Sequence, residues 1–413
     1  MTIIKNQVLH EADIIIIGSA YIGLSLAIAV KTAAPQLNII IVDAAKPNTW
    51  KIDPRAFAIS AAAVRMLDQL QCWQTILPEA EPIREMIVTD SRVSDPIRPV
   101  FLTFAGDVTP GEPFAYMVEG CHLNTCLYQR ANALKIRIIK GAGIKKFDEM
   151  LQSIRVYLDN GIVYQTQLLV GADGLYSKIR EIAGVKILHQ PYGQTGIVCT
   201  ITHECSHYGR AEEHFLPAGP FAVLPLKGNR SSLVWNERDE NAKRLLSADD
   251  MTFKIELESR LGHHLGVLQI EGARHAFPTG FMLVRNFVRK RFALIGDAAH
   301  SIHPISGQGL NLGLQDAAAL AEIIVETARL GLDIGSLTEL KRYQSWRRFA
   351  TVRMGITADF LNRIFSNDIM PLRAIRDIGL GLVDRMPYLK NYFIQQAAGL
   401  RNDSPRLLLG KPI

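Results

Sequence analysis

The chain has 413 residues, of which 48% are hydrophobic and 21% charged, with 31 glycines and 19 prolines. These values are near globular averages, so they exclude disordered, collagen-like and low-complexity proteins, and the length predicts one catalytic unit of two interleaved domains. The apolar runs around Ile14–Ile17 and Leu24–Val30 are shorter than the roughly 18 residues of a membrane span. Because no secretory signal is recognisable either, we expect a cytoplasmic protein that is not integral to a membrane.

The net charge of +6 is unevenly distributed. Residues 341–413 hold 13 Lys/Arg against 5 Asp/Glu, a net +8, so the preceding part of the chain is near −2. Exposed helix faces explain such a segment most simply, and attraction to an anionic membrane is the second interpretation. No nucleic-acid motif accompanies it, and we expect no nucleic-acid partner.

The cysteine pattern is typical of reduced thiols, because the five cysteines form no Cys-x-x-Cys pair and an odd number cannot all be bridged within one chain. They are Cys72, Cys121, Cys126, Cys199 and Cys205. His203, Cys205 and His207 would share one face of a strand, but no fourth ligand is close in sequence. A half-exposed strand explains them equally well, so we predict no metal site.

The first predicted unit is strand, turn, helix and strand, over Ala12–Ile17, Gly18–Gly23, Leu24–Ala34 and Asn38–Val42. The turn matches the dinucleotide fingerprint Gly-x-Gly-x-x-Gly, except that Ala20 replaces the second glycine. Any strand-to-helix connection could look like this turn alone. A second signal supports the fingerprint in the next part of the chain.

Each position of this turn has a physical role in holding a pyrophosphate. Gly18 permits the tight turn, position 20 is where the backbone approaches the ligand, and Gly23 lets the helix pack on the strand with its first amides facing the phosphates. Asp43 follows Gly23 by 20 residues, where an acid accepts hydrogen bonds from ribose hydroxyls. The spacing therefore predicts an adenine dinucleotide.

The rest of the chain alternates between sheet and helix signals. Residues 130–170 resemble an antiparallel meander that includes Ile136–Ile139 and Ser153–Leu158, and a buried strand then leads into Asp173-Gly174. From about 186 to 280, short strands and a charged helical stretch near 240–261 predict a second, sheet-based domain. A strand at Arg291–Ile295 leads into Gly296-Asp297, and the chain is helical from 309 onward.

Three glycine-acid sites thus follow three predicted strands, and the third lies in a long specific block, residues 296–313. Here the sequence resembles the class A FAD-dependent aromatic hydroxylases, and within them the ubiquinone-biosynthesis hydroxylases (UbiH/UbiF/VisC). The resemblance implies an α/β fold with a discontinuous Rossmann-like FAD-binding domain, similar to p-hydroxybenzoate hydroxylase, with an inserted mixed β-sheet substrate domain and C-terminal helices. The corresponding boundaries are 1–75, 106–186 and 281–345 for the FAD domain, 76–105 and 187–280 for the substrate domain, and 346–413 for the helical region.

The resemblance also implies which residues bind FAD. An acid at a strand end can hold the ribityl hydroxyls, which is the role we assign to Asp297, and the amides near Leu312 and Gly313 at the start of the next helix would favour the reduced flavin anion. Arg180 is expected to meet the pyrophosphate, and Arg55 to lie beside the cofactor. Glu119 occupies a similar family position but precedes Gly120, where family members commonly have Asn. The expected cofactor-binding set is Gly18, Ala20, Tyr21, Ile22, Gly23, Asp43, Arg55, Asp173, Gly174, Arg180, Gly296, Asp297, Gly307, Gly309, Leu310, Asn311 and Leu312.

The implied activity is hydroxylation of the ring of a polyprenyl phenol or benzoquinol, with NAD(P)H as reductant, O2 as oxidant and a flavin C4a-hydroperoxide as intermediate. The candidate catalytic residues are His300, His303 and Pro304. Either histidine could assist proton movement or instead satisfy backbone groups, and Pro304 would stiffen the loop. The expected partner is an apolar phenolic small molecule. Its tunnel could be lined by Phe215, Phe221, Leu224 and Leu226, although such residues in a sheet more often form plain core.

An apolar substrate of this kind would reside in the membrane. The basic C-terminal region, with Phe360, Ile364 and Phe365 on one helix face, is therefore expected to dock peripherally at the inner membrane or on a ubiquinone-biosynthesis complex. Two alternatives stay open. One is an FAD-dependent reductase or oxidase, and the other is a non-catalytic FAD-bearing subunit, suggested by Ala20 and Gly120. The ring position, the exact substrate, the choice of NADH or NADPH and the oligomeric state are not encoded in a recognisable pattern.

Overall fold

The computed structural model describes residues 9–47, 53–90, 100–105, 107–302, 307–365, 394–395, 398–400 and 403–413. The helices of this part of the chain are α1 (Tyr21–Ala33), α2 (Ala61–Gln69), α3 (Trp73–Ile76), α4 (Gly120–Ala133), α5 (Lys178–Ile182), α6 (Asp239–Ser247), α7 (Asp250–Leu261), α8 (Gly309–Arg329) and α9 (Leu337–Phe365). The strands are β1 (Leu9–Ile17), β2 (Ile39–Asp43), β3 (Ala56–Ser60), β4 (Glu81–Pro82), β5 (Glu85–Asp90), β6 (Val100–Ala105), β7 (Asp107–Thr109), β8 (Glu112–Pro113), β9 (Ala115–Glu119), β10 (Arg137–Lys140), β11 (Ile144–Glu149), β12 (Ile154–Leu158), β13 (Val163–Gly171), β14 (Ile187–His203), β15 (Arg210–Leu216), β16 (Gly219–Leu226), β17 (Arg230–Arg238), β18 (Leu268–Val284), β19 (Val288–Arg289), β20 (Phe292–Leu294) and β21 (His300–Ser301).

The first sheet has a parallel part in the order β10-β2-β1-β13-β20. The register pairs Ile17 of β1 with Gly171 of β13, and Gly171 with Leu294 of β20, so these three strands end side by side. Their isoleucine-, leucine- and valine-rich sequences are buried on both faces, as parallel strands require. Sequence-separated loops are thereby brought to one edge.

The predicted meander over residues 130–170 is correct for β11, β12 and β13, which pair antiparallel. It is wrong for Ile136–Ile139, because β10 instead pairs parallel with β2 at the far edge of the sheet, after residues 120–133 have formed α4. A four-residue strand carries the same apolar alternation whether its neighbour runs parallel or antiparallel. The preceding helix decides the direction, since it returns the chain to the same end of the sheet.

The second sheet is mixed, in the order β21-β18-β14-β17-β16-β15-β5-β6. One face packs on α6 and α7 through a separate apolar core around Trp235 and Phe253. The strands are drawn from three parts of the chain, residues 85–105, 187–284 and 300–301, which interleave with the first sheet. This α/β architecture with an inserted sheet confirms the predicted fold class, while the exact domain boundaries stay a proposal.

Helices α1 and α8 pack against each other beside the first sheet. Helix α8 is buried from Leu310 to Val325 on nearly every side, which explains its continuous apolar sequence. The closest approach joins Gly313 of α8 to Ile22 of α1, because a Cβ at 313 would lie 2.7 Å from the Ile22 Cδ1 atom. In the described part of the chain, no helix is both long and apolar enough to cross a membrane.

Candidate flavin site

The loops that follow β2, β1, β13 and β20 form one edge of the first sheet. They carry Asp43, Gly18–Gly23, Asp173 and Gly296-Asp297, in the spatial order of their strands. Ligands of open α/β sheets bind at the carboxyl ends of parallel strands, where the loops diverge. The three glycine-acid motifs of the sequence are therefore neighbours in space.

Gly18 joins the first motif to the second. Its φ of +109° lies in the region that favours glycine, and a Cβ there would lie 2.3 Å from the carbonyl oxygen of Ala172. The following helix begins at Tyr21, and its first backbone hydrogen bond runs from the Leu24 amide to Ala20 O at 3.0 Å. The three amides before Leu24 are outside this ladder, which gives α1 an N-terminus suited to phosphate.

Asp43 ends β2 beside this turn and accepts a hydrogen bond from the Ser19 amide at 3.0 Å. The Ser19 hydroxyl bonds both Asp43 and Tyr128, and the Lys140 ammonium lies 4.0 Å from the Tyr128 ring centroid. Burial raises the pKa of Tyr128 to about 12, so its hydroxyl keeps its proton at neutral pH. Neither Tyr128 nor Lys140 was predicted from the sequence, because they lie on α4 and on β10, outside the three glycine-acid motifs.

Asp173 lines the same edge, and its carboxylate accepts hydrogen bonds from Ser177 Oγ at 2.5 Å and from the Ile179 amide at 3.1 Å. These bonds hold the start of α5, and burial of the carboxyl raises its pKa. Arg180 was expected to meet a pyrophosphate. Its guanidinium instead donates to Ala298 O at 3.0 Å and Leu175 O at 2.7 Å, which ties the second motif to the third.

Behind the third motif lies a fully buried carboxylate, Asp316 of α8. It accepts hydrogen bonds from the Gly296 amide at 3.0 Å, from His300 Nε2 at 2.5 Å and from Arg347 Nε at 2.8 Å. Although burial alone would raise the pKa of Asp316, the charges of His300 and Arg347 hold it below its usual range. This network fixes the backbone that carries Asp297.

The Asp297 side chain is exposed to the cavity but enclosed by protein on its other sides, and this burial raises its pKa. His300 lies behind the cavity wall, 1% exposed and stacked on Phe287. That position favours its structural interpretation over proton movement. The other two candidates, His303 and Pro304, lie outside the described residues.

Helix α8 begins at Gly309, three residues before the position where we expected free amides. The Leu312 amide already donates to Gln308 O at 2.9 Å, so the unbonded first-turn amides are those before it. The Asn311 side chain accepts from the Ser60 amide at 3.0 Å and donates to Ala58 O at 2.8 Å. It thereby fastens the start of α8 to β3.

Arg55 precedes β3, and its guanidinium makes two hydrogen bonds with the carboxylate of Asp53, at 2.8 and 2.7 Å. The Tyr21 hydroxyl donates to the same carboxylate at 2.6 Å, and the guanidinium also lies over Phe277, 5.5 Å from the ring centroid. Burial works against ionisation of Asp53, but the bonds and charge of Arg55 outweigh it and lower the pKa of the carboxyl. This cluster connects the cofactor edge to the second sheet.

Gly120 belongs to the same cluster. A Cβ at this position would lie 2.5 Å from the Tyr21 hydroxyl and 3.0 Å from Arg55 O. Glycine here and the Tyr21–Asp53 hydrogen bond are therefore compatible with each other, whereas an Asn would displace Tyr21. Glu119 points elsewhere, to Arg230, with oxygen–nitrogen distances of 3.0 and 3.1 Å.

One cavity of about 1080 Å³ runs along this edge and on to the second sheet. That volume is at the upper end of small-molecule sites, enough for a large cofactor together with a substrate. Of the predicted cofactor set, the cavity is lined by Gly18, Ala20, Tyr21, Ile22, Asp43, Arg55, Asp173, Gly174, Asp297, Gly307, Gly309, Leu310 and Asn311. The members outside its lining are Gly23, Arg180, Gly296 and Leu312, which support the loops from behind.

The far wall of the cavity is apolar and comes from the second sheet. Of the four residues expected to line a tunnel, Leu224 does so. Phe221 instead belongs to the core beneath the sheet, Leu226 to a second core, and Phe215 is buried away from the cavity. Alternation along β16 explains Phe221, because a two-residue period sends every other side chain to the opposite face. Phe215 and Leu226 share the face of Glu213 and Leu224 on their strands but lie outside the cavity lining.

The histidine cluster near residue 205 lies at the end of β14. His203 Nδ1 and Nε2 bond Cys205 O at 2.7 Å and Ser231 Oγ at 3.0 Å, and the His203 and His207 rings are in contact. Within the described ranges, no group of three or more His, Cys, Asp or Glu side chains is placed to hold a metal ion. All five cysteines are free.

Two helix N-termini, strand-end carboxylates and the cavity between them together define a dinucleotide-binding α/β fold. Comparison with known proteins gives the family. The profile of the FAD binding domain family matches residues 11–350. Ubiquinone hydroxylase UbiL of Rhodospirillum rubrum is 40% identical over 97% of this chain and 94% of its own length.

A more distant relative is the 3-demethoxyubiquinol 3-hydroxylase of Escherichia coli, 29% identical over 95% of this chain and 99% of its own length. Among solved structures, p-nitrophenol 4-monooxygenase PnpA from Pseudomonas putida DLL-E4 has a TM-score of 0.79 at 16% identity, covering 95% of this chain and 100% of that one, and so shares the fold. The chain belongs to the FAD binding domain family, and within it to the ubiquinone-biosynthesis hydroxylases. It is an FAD-dependent oxidoreductase of the monooxygenase class.

Proposed function

We propose that this protein hydroxylates the aromatic ring of a polyprenyl phenol or benzoquinol intermediate of ubiquinone biosynthesis, using O2 and NAD(P)H. The observation that carries the proposal is a continuous cavity whose lining includes both the three strand-end carboxylates and an apolar wall. A cofactor held along the carboxylates would end next to a space suited to an apolar ring. The relatives named as ubiquinone hydroxylases support the substrate class.

The residues present fit FAD. Gly18 leaves no room for a side chain at the turn, α1 offers free amides for a pyrophosphate, and Asp43 is placed to accept ribose hydroxyl bonds. Asp297 would hold the ribityl chain through its carboxyl, and the first amides of α8 would face the pyrimidine side of the ring. FAD, when bound, supplies the redox chemistry that activates dioxygen.

The protein's part in the reaction is to position and orient the substrate ring and to exclude water from it. The Arg55–Asp53–Tyr21 cluster supplies a fixed positive group between the cofactor edge and the second sheet. The wall formed by Val198, Leu224, Val234 and Phe277 keeps water from the reacting ring. NAD(P)H is the proposed reductant on the basis of the family.

The experiment for this function is oxygen-isotope incorporation. Purified holoenzyme is incubated with NADH or NADPH and a short-chain prenylated phenol under isotope-labelled O2. The mass of the product is then measured by mass spectrometry. One labelled oxygen atom in the product is expected. Substrate conversion without label would indicate the reductase or oxidase alternative, and absence of substrate-stimulated NAD(P)H oxidation would indicate the non-catalytic subunit.

The cellular form of the test uses a strain that lacks the gene. The intermediate that accumulates should be the one that lacks a single ring hydroxyl, and the position of that hydroxyl identifies the step. The strain is complemented with the wild-type chain or with Asp297→Ala. Restoration by the wild type alone shows that the activity is needed, and not only the presence of the protein. An unchanged ubiquinone profile in the deletion strain would contradict the proposal.

We also propose that the basic C-terminal region docks on the surface of the inner membrane, where prenylated substrates reside. Of the helix face expected to do so, Phe360 is 59% exposed on α9, whereas the side chains of Ile364 and Phe365 lie outside the described residues. Phe349 on the same helix is also exposed. Flotation with anionic and with neutral liposomes tests the proposal: anionic-dependent binding supports it, and absence of binding to both refutes it. Recovery in a ubiquinone-biosynthesis complex is the competing result.

A further inference from the structure

The cavity wall contains a carboxyl group that belongs to no sequence motif and has no role in the proposed binding of FAD. Glu213 lies on β15, where Ala211 and Glu213 face the cavity. The alternate residues face the other way: Glu212 Oε1 pairs with His264 Nε2 at 2.9 Å, and His214 Nδ1 bonds Thr89 Oγ1 at 2.8 Å. The two-residue period of the strand thus directs Glu213 into the cavity, whereas its ionisable neighbours Glu212 and His214 lie on the other face.

The register across the sheet shows what surrounds it. Glu213 is opposite Ala222 on β16, Ala222 is opposite Val234 on β17, and Val234 is opposite Val198 on β14. All four line the cavity. Among the described residues that the second sheet contributes to this wall, Glu213 is the ionisable one, in a row that is otherwise aliphatic.

Glu213 is 6% exposed, and no described residue gives it a hydrogen bond or an ion pair. The strands packed on β15 do not supply a counter-charge. β16 has no ionisable side chain, and on β5 Glu85 is bonded to Arg210 at 2.7 Å on the opposite face, while Asp90 lies on the same face as Glu213 beside Phe215. Across the cavity Arg55 is held by Asp53. Burial raises the pKa of Glu213 to about 8.

Buried polar groups are normally hydrogen-bonded, and an unpartnered carboxyl in a cleft is typical of a group that waits for a ligand. A prenylated phenol has one hydroxyl on an otherwise apolar body. With the substrate placed against the sheet, its hydroxyl would face Glu213, the ionisable group of this wall. The chemistry of the wall thus matches the chemistry of the substrate class, and this match rests on the proposed function.

We propose that Glu213 binds the phenolic hydroxyl of the substrate and accepts its proton during hydroxylation. The O–H bond of the phenol breaks and an O–H bond forms on the Glu213 carboxylate, while the electron pair stays on the phenolic oxygen and delocalises into the ring. The ring becomes a stronger nucleophile toward the activated oxygen atom that FAD, O2 and NAD(P)H supply. After oxygen transfer the C–H bond of the hydroxylated ring carbon breaks, its electron pair restores the aromatic ring, and its proton joins the second oxygen atom of O2, which leaves as water. Glu213 returns its own proton to the phenolic oxygen.

Three substitutions separate binding from proton transfer. Glu213→Gln keeps a hydrogen-bonding group but cannot accept a proton, Glu213→Leu removes both functions, and Glu213→Asp keeps an ionisable carboxyl. Glu85→Gln is the control, because Glu85 is on the neighbouring strand but outside the cavity lining. FAD content, read from the visible spectrum, is expected to be equal in all five proteins, which shows that the variants fold and load.

In the hydroxylation assay, kcat/KM of the wild-type enzyme should rise with pH through a limb near pH 8. Glu213→Gln should lose this limb and fall by ~100-fold or more, the usual size of a general base effect. Its deficit should shrink above about pH 10, where a phenol ionises without help. Glu213→Asp should recover part of the rate. A Glu213→Gln enzyme with the wild-type rate and the wild-type limb would overturn the proposal.

A binding measurement without turnover tests the contact independently. The probes are a short-chain prenylated phenol and its methyl ether, titrated into oxidised holoenzyme and followed by the change in flavin fluorescence. Wild-type protein should bind the phenol at least ~10-fold more tightly than the ether, and Glu213→Leu should lose this preference. Equal preference in both proteins would refute the contact. If the preference is present but labelled oxygen never enters a product, the proposed hydroxylation fails and the Glu213 contact stands.

Discussion

Gly18 and Ala172 approach so closely that a Cβ at residue 18 would lie 2.3 Å from the Ala172 carbonyl oxygen. The contact joins the turn after β1 to the turn after β13, the two loops that carry the first two motifs. It exists because β1 and β13 pair in parallel with Ile17 opposite Gly171.

The substitution Gly18→Ala should therefore do more than strain one turn. The φ of +109° costs about 1–2 kcal/mol for a residue with a Cβ, and the clash with Ala172 must also be relieved by moving a loop. We expect a lower free energy of unfolding and loss of bound FAD, measured by denaturation and by the visible spectrum. Gly161→Ala, with φ +86° and nothing within 4 Å, is the control for strain alone and should keep its FAD.

Asp297→Ala should lose FAD, because the Asp297 carboxyl lies in the cavity wall after β20 and makes no hydrogen bond to another described residue. We expect at least ~10-fold weaker FAD binding in a reconstitution titration. Asp148→Ala, which removes an exposed carboxylate on β11, should bind FAD normally. Full occupancy in Asp297→Ala would show that the assigned role is wrong.

Asp316→Asn should destabilise the protein strongly, although Asp316 never touches the cavity. It leaves the Arg347 guanidinium and the His300 imidazole buried without their carboxylate, and breaking a buried ion pair costs about 3–5 kcal/mol. The same change loosens the Gly296 amide, so FAD affinity should fall as well. Glu326→Gln on the same helix breaks an exposed ion pair with Arg342 and should cost less than about 1 kcal/mol.

Glu213 should make stability depend on pH in a direction opposite to that of most carboxylates. Its pKa is raised to about 8 in the folded state and is about 4.3 in the unfolded chain, so the folded state holds the extra proton. Between these two values the wild type loses about 1.4 kcal/mol per pH unit relative to Glu213→Gln. The difference in Tm between the two proteins should grow from pH 5 to pH 8 and then stop growing. A constant difference would mean that Glu213 is ionised when folded.

Leu224 and Phe221 should separate substrate binding from stability. Leu224→Ala shortens a side chain that lines the cavity and leaves no new void in the core. KM for the prenylated substrate should therefore change with little loss of stability. Phe221→Ala removes a fully buried ring from the core beneath the sheet and should cost about 3–5 kcal/mol. Thermal unfolding and steady-state kinetics of both variants measure the contrast, and the reverse pattern would contradict the assignment of faces.

The family and the cofactor could be read from the sequence because they depend on local patterns. A glycine at a turn, an acid at a strand end and a glycine-rich loop before a helix each specify a backbone shape over a few residues, and Gly18, Asp43 and Asp297 line one cavity as their motifs suggested. In the second sheet, the presence of short strands could be predicted, but not which of their side chains face the cavity. Four apolar residues were expected to face the substrate, and Leu224 is the one that does.

The tertiary structure alone decided which side chains share a wall and which partners neutralise which charges. Arg180 was expected to bind phosphate, but its guanidinium donates to Ala298 O and so links two loops. His300 forms a hydrogen bond with Asp316, which is 16 residues away in sequence. Glu213 carries no motif at all. Its significance comes from the strand register that surrounds it with Ala222, Val234 and Val198, since burial without a partner is a property of packing and not of neighbouring residues in the chain.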